Sequence, residues 1–237
     1  MSAALISGMM ALAPMSPVGE HEHVILLHGL CRTPKSMARL EEVLRAAGYE
    51  VHNIAYPSRK MPISVLSERY VGEAVAECLQ EEARSIHFVA HSLGAILIRD
   101  YLSRHTVDHL GRVVMLGPPN QGSEVVDRLR KPFLFRWLNG PAGQELGTDG
   151  ESVPNRLGPV NYPVGIIAGD RTINWINSFV MIRGPDDGKV SVERTKLDGM
   201  ADHVVLHTAH PFMMNNREAL KQTLTFLRTG KFRNGKL

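Results

Sequence analysis

Cysteine is nearly absent from this chain: Cys31 and Cys78 are the only two in 237 residues. That is too few for a disulfide framework or a cysteine-based zinc site, and it leaves room for one bridge at most. A dominant charge is missing too. Lys and Arg total 27 against 24 Asp and Glu, a formal net charge of +3. Apart from Arg128-Leu129-Arg130-Lys131 the basic residues are scattered, so nothing supports nucleic-acid binding, which needs a concentrated basic face. There is no internal repeat and no low-complexity segment. Residues 3–13 are largely apolar but too short and interrupted to span a bilayer, so any membrane contact is expected to be peripheral. No Lys or Arg precedes Arg32; the basic region of an export signal is therefore missing, although Ala11-Leu12-Ala13 has the small-x-small form of a cleavage site. Residues 1–22 read as a tail or a degenerate signal-like segment. Cytoplasmic location is the default reading, with an exported or envelope-associated protein as the alternative.

What is present points to one globular domain over residues 23–237. Hydrophobic residues make up 43% and charged residues 22%, enough for a large core. His23 to His28 is a continuous apolar run suited to a strand buried on both faces. Thr33-Pro34 then opens a helix with Met37, Leu40, Val43, Leu44 and Ala47 at helical spacing, ended by Gly48. Val51–Ala55 reads as a strand. Residues 65 to about 82 read as a helix that turns Leu66, Tyr70, Val71, Ala74, Val75, Cys78 and Leu79 inward. Ile86–Val89 is the central strand, followed by a helix through Tyr101 and a strand over Arg112–Leu116. Strands separated by helices of this length predict a parallel sheet with helices on both faces. Residues 117–162 break that rhythm and form the expected insertion. Within it Phe133, Phe135 and Trp137 are bulky enough either to pack on the core or to line an acyl pocket under a cap. Order resumes with a strand at Val164–Ala168, a short helix over Ser191–Leu197, a last strand at Val204–Leu206 and a final helix over Asn216–Arg228.

The chemistry centres on Ala90-His91-Ser92-Leu93-Gly94, which joins the central strand to its helix. A serine on such a strand-to-helix turn has its hydroxyl exposed and faces the helix N-terminus, provided the residues two before and two after are small. A serine hydroxyl needs a base, and the base needs a carboxylate that fixes its tautomer. His210, in the loop beyond the last strand, is the first choice of base, with His207 and His203 as rivals. Asp187, in the Asp186-Asp187-Gly188-Lys189-Val190 turn, is the first choice of acid. Asp170 competes from a strand end, where catalytic groups collect, and Asp186 competes as its neighbour. An oxyanion hole needs two backbone N–H groups; Leu93 supplies one and Leu30, beside Gly29, the other. His28 reads as a structural hydrogen-bonder rather than a base. Cys31 is a candidate pocket wall and lacks a paired base for a catalytic thiol.

Leu27-His28-Gly29-Leu30, Ala90-His91-Ser92-Leu93-Gly94, Gly117-Pro118-Pro119-Asn120-Gln121-Gly122-Ser123, Asp187-Gly188-Lys189-Val190 and His210 stand in an order that resembles the bacterial serine esterases and lipases of the α/β-hydrolase fold, particularly small lipases whose elbow begins with Ala. The resemblance covers residues 23 to about 228. It implies an α/β-hydrolase with a cap-like insertion at about 117–162. It also implies a carboxylic ester hydrolase working through an acyl-enzyme, without a metal or organic cofactor, on a small-molecule ester or lipid. A thioesterase, amidase or acyltransferase could use the same triad, and a non-catalytic binding module is the reading from another class. Ala90 departs from the usual Gly. The 16 residues from Arg171 to Asp186 are a longer connection than many relatives have, which keeps Asp170 in contention.

Overall fold

The computed structural model describes residues 19–129, 133–172, 182 and 184–233, with the side chains of 129 and 133–138 left aside. The signal-like segment Ala11-Leu12-Ala13 lies outside them. Strands are β1 (Glu22–Leu27), β2 (Glu50–Ile54), β3 (Ser85–His91), β4 (Leu110–Leu116), β5 (Val164–Gly169) and β6 (Asp202–Leu206). They form one six-stranded sheet in the order β2-β1-β3-β4-β5-β6. Every pairing is parallel.

The parallel sheet explains why its central strands are apolar without alternation: both faces are covered. Ile25, Leu27, Phe88, Ala90, Val113 and Met115 belong to one buried cluster, and Val24, Leu26, Val89, Val114 and Leu116 to the other. Successive side chains on one strand thus feed two cores, as the period of two requires. The first core is roofed by α2 (Ile63–Leu66), a π-helical turn (Ser67–Val71), α3 (Gly72–Gln80) and α4 (Leu93–Leu102). The second core is covered by a 3-10 turn (Pro34–Met37), α1 (Ala38–Ala46) and, at the C-terminus, a long helix over Arg217–Thr229. Asn216 caps that last helix, its Oδ1 accepting from the Glu218 and Ala219 amides at 2.9 and 3.0 Å, and Gly230 ends it in the left-handed region at φ 75°.

Most expected elements lie where the periodicity places them, with two local differences. The helix announced by Thr33-Pro34 begins with a 3-10 turn before becoming α-helical at Ala38. Leu79, expected to face inward, is 39% exposed. The buried stripe runs from Val71 at the end of the π-helical turn through Ala74, Val75 and Cys78 of α3, and Leu79 lies on its flank.

Residues 117–162 carry α5 (Glu124–Leu129), α6 (Phe133–Gln144) and α7 (Val153–Arg156). The insertion is tied down at several points. Glu145 Oε2 accepts from the Ile63 amide at 2.8 Å, which caps α2 with an acidic group at its positive end. Gly140, at φ 64°, kinks α6 where an added Cβ would lie 1.8 Å from the Arg59 carbonyl oxygen. A buried cation anchors the insertion from below. Arg99 on α4 donates to Asn120 O, Pro154 O and Gly158 O at 3.0, 3.1 and 2.8 Å. Burial pushes its guanidinium down to about 10, still far above neutral pH, so the cation persists among the carbonyls that satisfy it. Among the described residues no helix is long and apolar enough to cross a membrane.

Candidate active site

The C-terminal ends of β3, β4 and β5 converge on one place. β3 ends at His91, and Ser92 follows with φ 53° and ψ −119°, an unusual conformation for a residue with a Cβ. It is held by hydrogen bonds on both sides. The Ser92 amide donates to Leu116 O on β4 at 2.9 Å, and its own carbonyl accepts from Ala95 at 3.0 Å inside the first turn of α4. Backbone strain of this kind survives only where the surroundings over-determine it. Here the serine is the N-cap of a ten-residue helix, at its positive end. Small neighbours are required for a direct reason. A Cβ on Gly94 would sit 2.6 Å from Leu27 O and 2.9 Å from His28 O, and one on Gly29 would sit 3.2 Å from the Ser92 Cβ. The Gly29 loop and the serine turn are therefore in contact, with Gly29 as the joint.

Asp187 and His210 meet beside this turn. His210 Nδ1 lies 2.7 Å from Asp187 Oδ2, both side chains being almost wholly buried. The other carboxylate oxygen accepts from the Lys189 and Val190 amides at 3.0 and 2.9 Å. The His210 amide donates to the Asp187 carbonyl at 2.9 Å. Side chain and backbone thus bind the two residues together, and Asp187 can accept from the histidine only through Oδ2. That leaves Nε2 of His210 as the nitrogen able to take a proton. Asp170 makes a different pair. Its carboxylate lies 2.9 Å from His207 Nδ1 at the surface, where the His207 side chain is 75% exposed. Asp186 spends its Oδ1 on the Gly188 amide at 2.7 Å, and His203 pairs with Thr195 Oγ1 at 2.9 Å. The rival acids and bases are thereby engaged elsewhere.

Two residues that sequence reasoning passed over hold this arrangement. Gly117, at φ 54°, follows β4; a Cβ there would lie 3.0 Å from both Asp187 Oδ2 and His210 Nδ1. His91 is the second. Its Nε2 donates to the His210 carbonyl at 3.0 Å, and the two rings lie 4.6 Å apart. Burial, with the neighbouring His210, keeps its imidazole pKa well below the ordinary value. It therefore stays neutral and fixed in the Nε2–H tautomer. The signal for both was visible only as part of a motif: His91 as the variable position before the serine, Gly117 as the first residue of Gly-Pro-Pro-Asn-Gln-Gly-Ser.

Gly169 explains how the long connection after β5 still delivers Asp187. A Cβ on Gly169 would be 2.9 Å from the Asp187 Cβ, so the chain leaves β5 and returns against its C-terminal end. Residues 173–181 of that connection lie outside the described residues.

His28 is buried, with Nδ1 2.9 Å from Gly29 O and its ring stacked on Tyr56 at 4.1 Å. The Tyr56 hydroxyl donates to the His28 carbonyl. Burial lowers the His28 imidazole pKa, in keeping with a structural rather than a proton-transferring part. Next to it opens a cavity of about 660 Å³ lined by Cys31, Arg32, Thr33, Tyr56, Pro57, Ser58, Arg59 and Lys60. Cys31 is at φ 58°, its amide donating to Ser58 Oγ at 3.1 Å. Burial of the sulfur raises its thiol pKa, although Arg59, Lys189 and Arg32 pull the other way. Raised, the thiol is a poor nucleophile. Leu30 reaches across to α6, its Cδ2 2.9 Å from where a Gly143 Cβ would be. The side chains of Phe133, Phe135 and Trp137 lie outside the described residues.

Comparison with known proteins agrees with this fold. The mature lipase BlEst2 of Bacillus licheniformis superposes with a TM-score of 0.71 at 17% identity, over 90% of this chain and 95% of that one. A metagenomic carboxyl esterase gives 0.62 at 17% identity, over 85% and 68%. Aspergillus fumigatus lipase B gives 0.63 at 16% identity, over 91% of this chain and 55% of that one. At such identities these likenesses establish the α/β-hydrolase fold. No curated protein matches the chain in sequence. The palmitoyl protein thioesterase family matches residues 23–151, a span that takes in β1 from His23 on, the Gly29-Leu30 loop, the Ser92 turn and most of the insertion. The chain belongs to the palmitoyl protein thioesterase family, within the lipase and esterase-like α/β-hydrolases.

Proposed function

We propose that this protein is a serine hydrolase that cleaves carboxylic esters through an acyl-enzyme, with Ser92 as nucleophile, His210 as general base and acid, and Asp187 as the carboxylate that orients His210. The observation that carries the reading is the buried 2.7 Å contact of His210 Nδ1 with Asp187 Oδ2, packed on Gly117 beside the strained Ser92 turn. In the reaction, His210 Nε2 takes the Ser92 hydroxyl proton as the oxygen attacks the acyl carbon. The tetrahedral oxyanion is met by the Leu93 amide, at the first position of α4, and by the Leu30 amide. Collapse expels the alcohol, which receives the proton from His210, and water repeats the sequence to free the acid.

Residues 23–237 act as one unit in this reading, with 117–162 as a cap-like insertion. Its ties to α2 and to the Arg59 loop support that assignment. Cys31 lines the substrate cavity.

A second reading, hydrolysis of an acyl thioester, is favoured by the family to which the chain belongs. The two differ only in the leaving group, so one series of acyl p-nitrophenyl esters and matching acyl thioesters, compared by kcat/KM at each chain length, decides between them. Ser92→Ala should lose fluorophosphonate labelling and at least about 10⁴-fold of turnover on either substrate class. Labelling that persisted on Ser92→Ala would place the nucleophile elsewhere.

A further inference from the structure

The opposite end of the sheet holds a second cluster of chemically able side chains, which the hydrolase chemistry leaves unused. His23 lies near the start of β1 and His52 in the middle of β2, and the parallel register sets His23 beside Glu50 and Ile25 beside His52. With a period of two, both histidines therefore face α3. Cys78 comes from that helix, and Glu81 from the residue that ends it. His23 Nδ1 and His52 Nε2 are 3.0 Å apart. Glu81 Oε2 lies 3.6 Å from the first nitrogen and 3.5 Å from the second. The Cys78 sulfur lies within 4.8 Å of a ring nitrogen on each histidine.

We propose that His23, His52, Cys78 and Glu81 form a tetrahedral site for a zinc-like divalent cation, clamping β1 and β2 to α3 at the end of the sheet remote from Ser92.

A tetrahedral zinc with ligands at about 2.0–2.1 Å has ligand-to-ligand edges of about 3.3–3.4 Å for nitrogen and oxygen. The three nitrogen and oxygen separations fall on either side of that value. The His–His contact has to open by a few tenths of an ångström, and the sulfur, within 4.8 Å of a ring nitrogen on each histidine, has to move in to take the fourth corner. As it does so, the Cys78 thiol passes its proton to solvent and bonds the cation as thiolate. Two imidazoles, one sulfur and one carboxylate suit zinc better than magnesium or calcium, which take oxygen ligands.

The surroundings point the same way. Metal-bound histidines usually carry a carboxylate behind the nitrogen that is not ligated. Glu50 Oε2 lies 3.8 Å from His23 Nε2, and Glu77 Oε2 lies 3.7 Å from His52 Nδ1. Each histidine thus has one nitrogen aimed at the proposed centre and the other aimed at a glutamate. His23 is wholly buried, and its Nε2, the nitrogen on the Glu50 side and not the one proposed to bind the cation, makes no hydrogen bond among the described residues. Glu50, Glu77 and Glu81 bring three negative charges, and no Lys or Arg is ion-paired to them among the described residues. A divalent cation would neutralise most of that charge. The two-cysteine count of the chain argues against a cysteine-only site, but a mixed site needs one sulfur.

The test uses the full chain, stripped with EDTA and titrated with zinc chloride in a calorimeter, with cobalt chloride as an optical probe. One zinc should bind per chain and raise the melting temperature. Cobalt should show a thiolate charge-transfer band. His52→Gln and Glu81→Gln, which alter side chains reaching the surface, should lose the stabilisation by zinc while keeping wild-type ester hydrolysis. Glu77→Gln leaves all four ligands in place and should weaken zinc about 10- to 100-fold. Wild-type zinc affinity in His52→Gln, or a cobalt spectrum without the thiolate band in the native protein, would overturn the proposal.

Discussion

At the scale of single residues, the choice between Asp170 and Asp187 rests on what each carboxylate touches. Asp187 is fully buried and directs one oxygen to two backbone amides and the other to His210. Asp170 pairs with an exposed histidine at the rim. An exposed pair of that kind is worth little, on the order of 0–1 kcal/mol. Asp187→Asn should therefore lower kcat by roughly 10⁴-fold, because an amide in place of Oδ2 no longer stabilises the imidazolium or selects its tautomer. Asp170→Asn should stay within a few-fold of the parent. Steady-state kinetics on one p-nitrophenyl ester, measured for both variants, separates the two. Equal losses, or the larger loss in Asp170→Asn, would transfer the acid's role. In the sequence Asp170 stood at a strand end and Asp187 in a turn, and the partner is what distinguishes them; the His207–Asp170 and His210–Asp187 pairs are contacts across 37 and 23 positions that no local pattern carries.

At the scale of elements, strand ends set the site, and glycines set how close they come. β4 stops at Leu116, and Gly117 turns away at positive φ with Asp187 and His210 packed on its missing side chain. Gly117→Ala forces a Cβ to within 3.0 Å of both, in a backbone conformation that alanine adopts only with strain. The pair has to shift, and displacing a catalytic group by even about 1 Å can cost about 10²-fold in rate. We expect kcat to fall by that order with KM little changed and the melting temperature down by a few degrees; a wild-type kcat in a folded Gly117→Ala protein would contradict the packing argument. Elements themselves were readable because their signals are local. The run Val24–Leu27, the capping Asn216 and the helical spacing of Met37, Leu40 and Leu44 each fix a strand, a start or a buried face. The insertion was readable only as a break in rhythm. Its position depends on long-range ties such as Glu145 to Ile63 and Arg99 to Gly158, whose partners are chosen by the fold and not by neighbours in the chain.

At the scale of the whole molecule, the fold buries several histidines that it keeps neutral, and this couples stability to pH. His28, His87 and His91 are each 2% exposed or less. Burial is the largest cause lowering all three pKa values, and it outweighs the Glu22 carboxylate next to His87. In the unfolded chain these imidazoles titrate near pH 6.5. Below that pH the unfolded chain takes up protons that the folded chain refuses. Because the folded values are depressed, the stabilisation is complete above about pH 6.5 and is lost as pH falls beneath it. Each group contributes a slope of up to about 1.4 kcal/mol per pH unit in that range. Carboxylates add little until lower pH, since their ordinary values are about 4. Urea titrations at pH 7.5, 6.5, 6.0 and 5.5 should therefore show an even midpoint down to about 6.5, followed by a steep decline, well before ordinary acid denaturation. His91→Gln, which can still donate to the His210 carbonyl, should flatten the decline by one histidine's share. A midpoint that held constant to pH 5.5 would mean that the three rings accept protons within the folded protein, and that their burial is not what holds them neutral.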